Sequence, residues 1–294
     1  MTAATARPGT FTEDTSAELV IARMAACPDE RLKAVMATVV RHLHEAVREI
    51  EPTQQEWFEA IRFLTETGHM CTDWRQEFIL LSDTLGVSML VDAINNRKSA
   101  GATESTVLGP FHVAGAPHRA LGDSICLDGK GEPLVVSGRV TGPDGTPIEG
   151  ATLDVWQAND DGFYDVQQPD AQPRMNLRGI FKTSADGTYW FRSVKPMFYA
   201  IPHDGPVGRL LHSLGRHPYR PAHIHFIVAA AGHQPVITHV FPHDDPYLVS
   251  DAVFGVKDSL VTRFEQVDDD AEAARLSVAN PFWTVTADFV LDRE

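Results

Sequence analysis

The chain has 294 residues and is 43% hydrophobic, which is enough for one large domain or two modest ones with packed cores. Its 40 acidic residues outnumber its 25 basic ones, and the formal net charge of -15 repels phosphate backbones and anionic lipid headgroups. The composition therefore argues against nucleic-acid binding.

Cysteine usage and hydropathy indicate the compartment. The three cysteines, Cys27, Cys71 and Cys126, lie far apart and form no CxxC pattern, so neither a disulfide framework nor a thiolate metal site is predicted. The first residues contain no apolar segment of the secretory type, and no stretch approaches the roughly 18 apolar residues that span a bilayer. We expect a cytoplasmic protein without membrane insertion.

The first third of the chain carries helical patterns. Apolar residues recur at spacings of three and four until residues 51–52 end the first long helix. The residues of this stripe are Leu32, Val35, Met36, Val39, Leu43, Val47 and Ile50. Thr53 and Glu56 fit a capping box that opens a second helix, and a third helix is predicted from about Asp73 to about Ile94. Helices with this much apolar surface predict a packing or dimerisation unit.

The hydrophobic period changes to two after a connection rich in Gly, Ala and Thr at residues 99–106. The predicted strands are residues 134–140, 151–157, 189–191, 224–228, 236–241 and 283–291. Many short strands joined by Pro/Gly turns indicate a β-sandwich. The sequence thus predicts an α+β protein, with an N-terminal helical domain at residues 1–103 and a β-sandwich catalytic domain at residues 104–294.

A candidate metal motif lies at the start of one predicted strand, in the run Arg220-Pro-Ala-His223-Ile-His225. Side chains two apart on a strand share a face, so His223 and His225 point the same way. Neutral imidazoles among apolar neighbours need partners for their ring nitrogens. The pair is therefore either hydrogen-bonded structure or part of a metal site, and the motif alone leaves both open.

Two tyrosines, Tyr164 and Tyr199, lie where loops leave strands, and phenolate is a hard anionic ligand that suits a highly charged metal such as iron. Other metal sites fit less well. A cupin-type centre lacks its acid after the histidine pair, and a zinc or manganese hydrolase would have to recruit His217 with Asp204 or Asp244. The remaining histidines are interpreted as loop or surface residues: His203, His212, His217, His233, His239 and His243.

Four runs of the sequence resemble the intradiol ring-cleaving dioxygenases of the catechol 1,2-dioxygenase type: DVWQANDDGFYD, RGIFKTSADGTYWFRSVKP, YAIPHDGP and LGRHPYRPAHIHFIV. Two more runs, LGPFHVAGAP and DPYLVSDAVFGVKDSLV, are most similar to the hydroxyquinol 1,2-dioxygenase branch. The resemblance covers nearly the whole chain. It implies a homodimer joined through the N-terminal helices, and it allows for a phospholipid bound between them.

The same resemblance implies one Fe(III) per chain, held by Tyr164, Tyr199, His223 and His225, with Tyr199 and His225 axial. Arg220 takes the position of the family's substrate-side arginine, so we expect it to stabilise negative charge on the substrate ring. Tyr199 is expected to take up a substrate proton on leaving the metal. The implied substrate pocket comprises Leu80 and Asp83 on a helix, Val107, Leu108, Gly109, Pro110 and Phe111 in a loop, and Ile201, Pro202 and Arg220.

The expected activity is cleavage of hydroxyquinol, benzene-1,2,4-triol, by dioxygen, giving 3-hydroxy-cis,cis-muconate and its tautomer maleylacetate. By the same resemblance, Thr238-His239 stands where many catechol-specific relatives have a glutamine in the pocket, which argues against simple catechol specificity. Asp83 offers an acceptor for the additional hydroxyl of hydroxyquinol. Two alternatives remain: a catechol or chlorocatechol 1,2-dioxygenase that forms cis,cis-muconates, and a non-catalytic β-sandwich binding module.

Overall fold

The computed structural model describes residues 10–72 and 75–294. This part of the chain separates into two compact units that meet in sequence between residues 66 and 67. None of the helices among these residues combines the length and the hydropathy that crossing a membrane requires.

The first unit is helical, as the sequence predicted. It contains α1 (Ser16–Ala22), α2 (Glu30–Ile50) and most of α3 (Gln54–Met70). The capping box is present, because the Thr53 backbone N–H donates to the Glu56 carboxylate at 2.8 Å and the Glu56 N–H donates to Thr53 Oγ1 at 3.2 Å. The apolar stripe of α2 is exposed, with Leu43 at 62% and Ile50 at 70% of full exposure.

The third predicted helix was wrong in its length. Asp73, where it was expected to begin, lies outside the described residues. The structure contains two helices instead of one, α4 (Glu77–Thr84) and α5 (Val87–Asn95). They are separated at Gly86, whose φ of +75° is left-handed and interrupts the helical backbone.

Two sheets form the main part of the second unit. The first sheet has the order β10-β11-β1-β12, with β4 also paired to β1, and the second has the order β3-β2-β7-β8-β9. The strands of the first sheet are β1 (Pro133–Thr141), β4 (Thr188–Val194), β10 (Glu265–Val267), β11 (Phe282–Thr286) and β12 (Phe289–Val290). Those of the second are β2 (Thr152–Gln157), β3 (Arg178–Lys182), β7 (Ile224–Ala229), β8 (Val236–Pro242) and β9 (Val261–Thr262). The strand predicted at 283–291 is thus two strands, β11 and β12.

The two sheets share one hydrophobic core, which confirms the predicted β-sandwich. Val136 on β1 and Phe191 on β4 come from one sheet, while Val155 on β2 and Phe226 on β7 come from the other. All four are fully buried. Because side chains alternate along a strand, the residues next to Val155 and Phe226 must lie on the opposite face of the second sheet.

Several short elements escaped the sequence analysis. A two-stranded ribbon joins β5 (Tyr199–Ala200) to β6 (Tyr219–Arg220), and α6 (Pro206–Ser213) lies between them in the chain. His212 therefore lies in a helix rather than in a loop, although it is exposed as predicted. A further helix, α7 (Asp270–Leu276), begins after Asp269, whose carboxylate accepts two backbone N–H groups.

Candidate metal centre and substrate site

The centre is built on the face of the second sheet that points away from the sandwich core. Arg178, Trp156, His225 and His239 are direct register partners across β3, β2, β7 and β8. The Trp156 ring stacks on the His225 imidazole at 4.5 Å with an interplanar angle of 12°. The alternation that buries Phe226 in the core therefore sets His225 in a row of side chains on the opposite face.

His223 and His225 lie close together, as their spacing predicted, and their Nε2 atoms are 3.1 Å apart. Nδ1 of His223 is 2.7 Å from the carbonyl oxygen of Pro221, and Nδ1 of His225 is 2.7 Å from Nε2 of His239. Burial lowers the pKa of both histidines well below the usual value, so both rings are neutral. With each Nδ1 engaged, each Nε2 is available as a ligand atom.

The two tyrosines converge on the same point. The Tyr164 hydroxyl is 2.8 Å from His225 Nε2, 3.5 Å from His223 Nε2 and 3.4 Å from the Tyr199 hydroxyl. Tyr164 is 1% exposed, and burial, followed by the neighbouring Tyr199, raises its pKa well above the usual value. A buried phenol of this kind ionises only beside a compensating cation.

These four side chains fit a metal ion. Bonds of about 2.0–2.2 Å to nitrogen and oxygen place neighbouring ligand atoms about 3 Å apart, which matches the separations of 2.8–3.5 Å seen here. Two phenolic oxygens and two neutral imidazoles make a mixed N/O ligand set, in which the two oxygens carry negative charge once they are ionised. The arrangement is therefore chemically suited to a highly charged cation.

His239 was wrongly predicted to be a loop or surface residue. It lies in β8 and is 0% exposed, because β8 is covered on both faces. It forms a cluster of potential metal ligands with His223 and His225, but its Nε2 contacts Nδ1 of His225 and not the converging Nε2 atoms. A histidine inside the apolar run VITHVFP was the signal that pointed to a buried, partnered imidazole.

The other histidines of that group lie on loops or helices and are exposed or half-buried, as predicted. The acidic residues considered for a zinc or manganese hydrolase pair elsewhere. Asp204 lies 2.8 Å from Arg75, and Asp244 lies 3.8 Å from Lys195. The Asp204 side chain is 69% exposed and the Asp244 side chain is 49% exposed. Among the described residues, the cluster of potential metal ligands around His223 and His225 contains no acidic side chain, as the hydrolase alternative would require.

Arg220 lies directly opposite Tyr199 in the β5–β6 ribbon. Its Nε and Nη2 donate to the two oxygens of Asp251 at 3.1 Å and 3.3 Å, while its Nη1 lies 3.3 Å from His223 Nε2. Burial works against the charged form, but Asp251 and the two tyrosines outweigh it and raise the Arg220 pKa. The guanidinium is thus a permanent cation aimed at the four converging ligand atoms.

Asp251, which the sequence analysis missed, holds this arginine in place. Its Oδ1 also accepts the backbone N–H of Val253 at 3.2 Å, and its Oδ2 accepts that of Gly255 at 2.9 Å. The side chain is almost fully buried, so all four hydrogen bonds are shielded from water. Nothing in the local sequence around Asp251 signals this role.

A second buried ion pair anchors the loop that carries Tyr164. Nε of Arg178 on β3 donates to the carboxylate of Asp165 at 2.8 Å, and Nη2 lies 2.6 Å from the same oxygen. Asp165 also accepts the Met175 backbone N–H at 2.9 Å. Because Asp165 directly follows Tyr164, the pair ties the tyrosine to the same sheet that carries His225.

The predicted loop contacts the centre through two of its five residues. The Phe111 ring stacks on Tyr164 with centroids 4.6 Å apart, and Gly109 lies against the imidazole of His225. Val107 is half-buried, and Leu108 and Pro110 are exposed.

The predicted helix residues also lie close to the centre. Leu80 packs against a small apolar cluster that contains Ile201. Burial raises the pKa of Asp83, and its carboxylate is near enough to Arg220 for that cation to oppose the rise. Pro202 lines a neighbouring cavity of about 690 Å³ together with Tyr199 and Ile201.

Comparison with known proteins identifies the class. The family model described as "Dioxygenase" matches residues 107–293, and the one described as "Catechol dioxygenase N terminus" matches residues 29–103. The chain therefore belongs to the intradiol ring-cleavage dioxygenases.

Individual relatives are similar over nearly the whole length. A hydroxyquinol 1,2-dioxygenase from Rhizobium sp. (strain MTP-10005) is 63% identical and covers 97% of both chains. A 6-chlorohydroxyquinol 1,2-dioxygenase from Cupriavidus pinatubonensis is 53% identical over 82% of this chain and 87% of that protein. The solved structure of a hydroxyquinol 1,2-dioxygenase from Pseudomonas putida DLL-E4 superposes with a TM-score of 0.91, at 48% identity, over 96% of this chain and 99% of that one.

Proposed function

We propose that this protein is an iron-dependent hydroxyquinol 1,2-dioxygenase. It cleaves benzene-1,2,4-triol between its adjacent hydroxyl-bearing carbons and forms 3-hydroxy-cis,cis-muconate, the tautomer of maleylacetate. The observation that carries the proposal is the convergence of the Tyr199 oxygen and the Nε2 atoms of His223 and His225 within 3.5 Å of the Tyr164 oxygen, beside a buried arginine. The relatives named for hydroxyquinol and chlorohydroxyquinol support the choice of substrate.

The metal we propose is one Fe(III) per chain, held by Tyr164, Tyr199, His223 and His225. Two anionic oxygens favour the ferric over the ferrous ion, which supports iron over zinc. When bound, Fe(III) would act as a Lewis acid on the two adjacent oxygens of the substrate and so activate the ring toward dioxygen. The donor set thus accounts for both the oxidation state and the type of chemistry.

The chain's own residues provide the rest of the site. Tyr199 is less buried than Tyr164, at 8% against 1% exposure, and it lies at the edge of a neighbouring cavity, so we assign to its oxygen the uptake of a substrate proton. Arg220 stabilises the anionic ring, because its Nη1 is aimed at the centre while Asp251 holds the other two nitrogens. The stacked ring of Phe111 keeps water away from Tyr164.

Asp83 is the residue we assign to substrate choice. It lies three positions after Leu80 on α4, so one helix face offers an apolar contact and a carboxylate together. Burial raises the pKa of Asp83, while a hydrogen bond with Ser88 and the nearby Arg220 cation oppose the rise, and the influence of Arg220 supports a position near the substrate. An acceptor matched to the third hydroxyl of hydroxyquinol is left unpaired by catechol, at a cost of about 1–3 kcal/mol.

Three further assignments accompany this function. The exposed apolar stripe of α2 supports a homodimer formed through the N-terminal helices, with a phospholipid bound there. The three free cysteines support a reducing compartment, the cytoplasm. The family matches end at residue 103 and resume at residue 107, which supports the domain division at residues 103 and 104.

The test combines spectroscopy with oxygen uptake. We expect the purified protein to be coloured by tyrosinate-to-iron charge transfer, with about one iron per chain. Oxygen uptake with hydroxyquinol, catechol and chlorocatechols, measured side by side, should give the highest kcat/KM for hydroxyquinol. A colourless protein that stays inactive after iron reconstitution would refute the dioxygenase. A coloured protein that favours catechol would refute only the substrate assignment.

The role of Asp83 is checked in the same assay. Asp83→Ala should reduce kcat/KM for hydroxyquinol by about 5–150-fold, in line with the 1–3 kcal/mol above, while activity on catechol changes little. Asp83→Asn, which keeps an oxygen acceptor at the same place, should retain part of the preference. An equal loss for both diols would show that Asp83 acts on stability and not on substrate choice.

A further inference from the structure

His225 and His239 share a single hydrogen bond whose direction the metal centre determines. The two rings are direct register partners on β7 and β8, lie nearly perpendicular at 89°, and join Nδ1 to Nε2 at 2.7 Å. Both are almost fully buried. Two neutral imidazoles in this contact place one proton between them, so either His225 donates or His239 does.

Metal binding at Nε2 of His225 determines which of the two histidines donates. Its Nε2 faces the Tyr164 oxygen at 2.8 Å and the His223 Nε2 at 3.1 Å, and it must be free of a proton to bind a metal. A neutral imidazole without a proton on Nε2 carries it on Nδ1. His225 is then the donor, His239 accepts at Nε2, and the proton of His239 is on its own Nδ1.

The second ring nitrogen of His239, Nδ1, is buried without a protein partner among the described residues, and the residue also borders a cavity. The cavity has a volume of about 600 Å³, and its wall includes Ser105, Lys257 and Thr262. A buried N–H needs an acceptor, and a polar cavity of this size has room for water molecules.

The two histidine ligands are therefore held differently. His223 donates its Nδ1 proton to a backbone carbonyl, that of Pro221, which no side-chain substitution removes. His225 depends on a side chain for the same contact, and Trp156 stacks on its other flank. The orientation of His225 can thus be altered without changing a ligand.

We propose that His239 is a positioning residue of the metal centre: it accepts the Nδ1 proton of His225 and so fixes the tautomer and the ring angle of that ligand. The inference rests on the proposed metal function. It goes beyond that function because His239 does not itself bind the metal. Partners of this kind typically alter metal affinity about 10–100-fold.

The first experiment measures how fast iron is lost to a chelator, followed by the decay of the visible band. His239→Leu removes the acceptor and should speed iron loss about 10–100-fold. His239→Gln should stay close to wild type, because its amide oxygen accepts the same proton. The matched control is Thr238→Val, which removes a partly buried hydrogen bond from the preceding residue to the carbonyl of Glu104 and leaves His225 unchanged. It should leave the rate of iron loss unchanged.

The second experiment observes the proton directly. In protein labelled with ¹⁵N-histidine and loaded with gallium as a diamagnetic substitute for Fe(III), His225 should show a protected Nδ1–H, assigned by its shift in His239→Gln. A His225 without a proton on Nδ1 overturns the inference, and so does wild-type iron retention in folded His239→Leu. Either result leaves the dioxygenase proposal intact, whereas a wild-type protein that binds no iron would refute the dioxygenase proposal.

Discussion

Asp251→Asn tests whether the buried carboxylate is what aims Arg220. Asparagine keeps one oxygen, which serves the Arg220 Nε and the Val253 N–H, but puts an NH₂ group opposite the Arg220 Nη2 and the Gly255 N–H. The Arg220 Nη2 and the Gly255 N–H then both point at an NH₂ group that cannot accept their hydrogen bonds. The guanidinium, which is 3% exposed, also loses its counter-charge. Breaking a buried pair from one side costs about 3–5 kcal/mol.

The control for this variant is Asp245→Asn. Asp245 is half-buried and its two oxygens accept the backbone N–H groups of Ala222 and Tyr247, at 2.8 Å and 2.9 Å, and no lysine or arginine in the part of the chain that the structure describes pairs with it. It should lose only about 1–3 kcal/mol, the cost of one unsatisfied buried donor. The difference between the two variants isolates the charge of Asp251.

Urea denaturation gives both free energies of unfolding, and oxygen uptake gives the effect on activity. Because Nη1 of Arg220 loses its fixed direction, kcat/KM of Asp251→Asn should fall about 100–1000-fold, as for a lost electrostatic stabiliser. Asp245→Asn should keep its activity. Equal losses of stability in the two variants, together with wild-type activity in Asp251→Asn, would refute the reasoning.

Two other variants test the surroundings of the ligands. Gly109→Ala places a Cβ 3.2 Å from His225 Cε1, at a backbone φ of +76°. Its control is Gly115→Ala, where φ is +80° but the new Cβ meets open space. Both variants should lose about 1–2 kcal/mol of stability, because both backbones are left-handed, but only Gly109→Ala should weaken iron binding. Arg178→Met leaves Asp165 buried and unpaired, so it should cost about 3–5 kcal/mol in urea denaturation and speed iron loss. Gly115→Ala releasing iron as fast as Gly109→Ala, or a stable Arg178→Met that keeps its iron, would contradict these expectations.

Local patterns were sufficient to predict much of the fold. The capping box at Thr53 and Glu56 formed as predicted, because its partners are three residues apart and need no tertiary contact. The period of two predicted that His223 and His225 share a face, since alternation along a strand is a property of the backbone. The break at Gly86 was missed, because glycine within an apolar helical pattern is often tolerated and only the structure reveals its left-handed φ.

The contacts that hold the ligands have no such local signature. His225 meets His239 across 14 residues, Arg220 meets Asp251 across 31, and Arg178 meets Asp165 across 13. These separations follow from strand order and loop length, which no periodicity encodes.

Buried polar chemistry nevertheless leaves a constraint that sequence reasoning can use. A histidine inside an apolar strand, such as His239, must find a partner, because an unpaired buried imidazole is costly. A buried arginine at the start of a strand, such as Arg220, likewise requires a buried acidic partner somewhere in the chain. Treating such residues as incomplete pairs, and not as surface groups, predicts that an unseen partner exists. In this protein the partners, His225 and Asp251, both complete the candidate metal centre, so the residues least compatible with their sequence context are the ones that build the site.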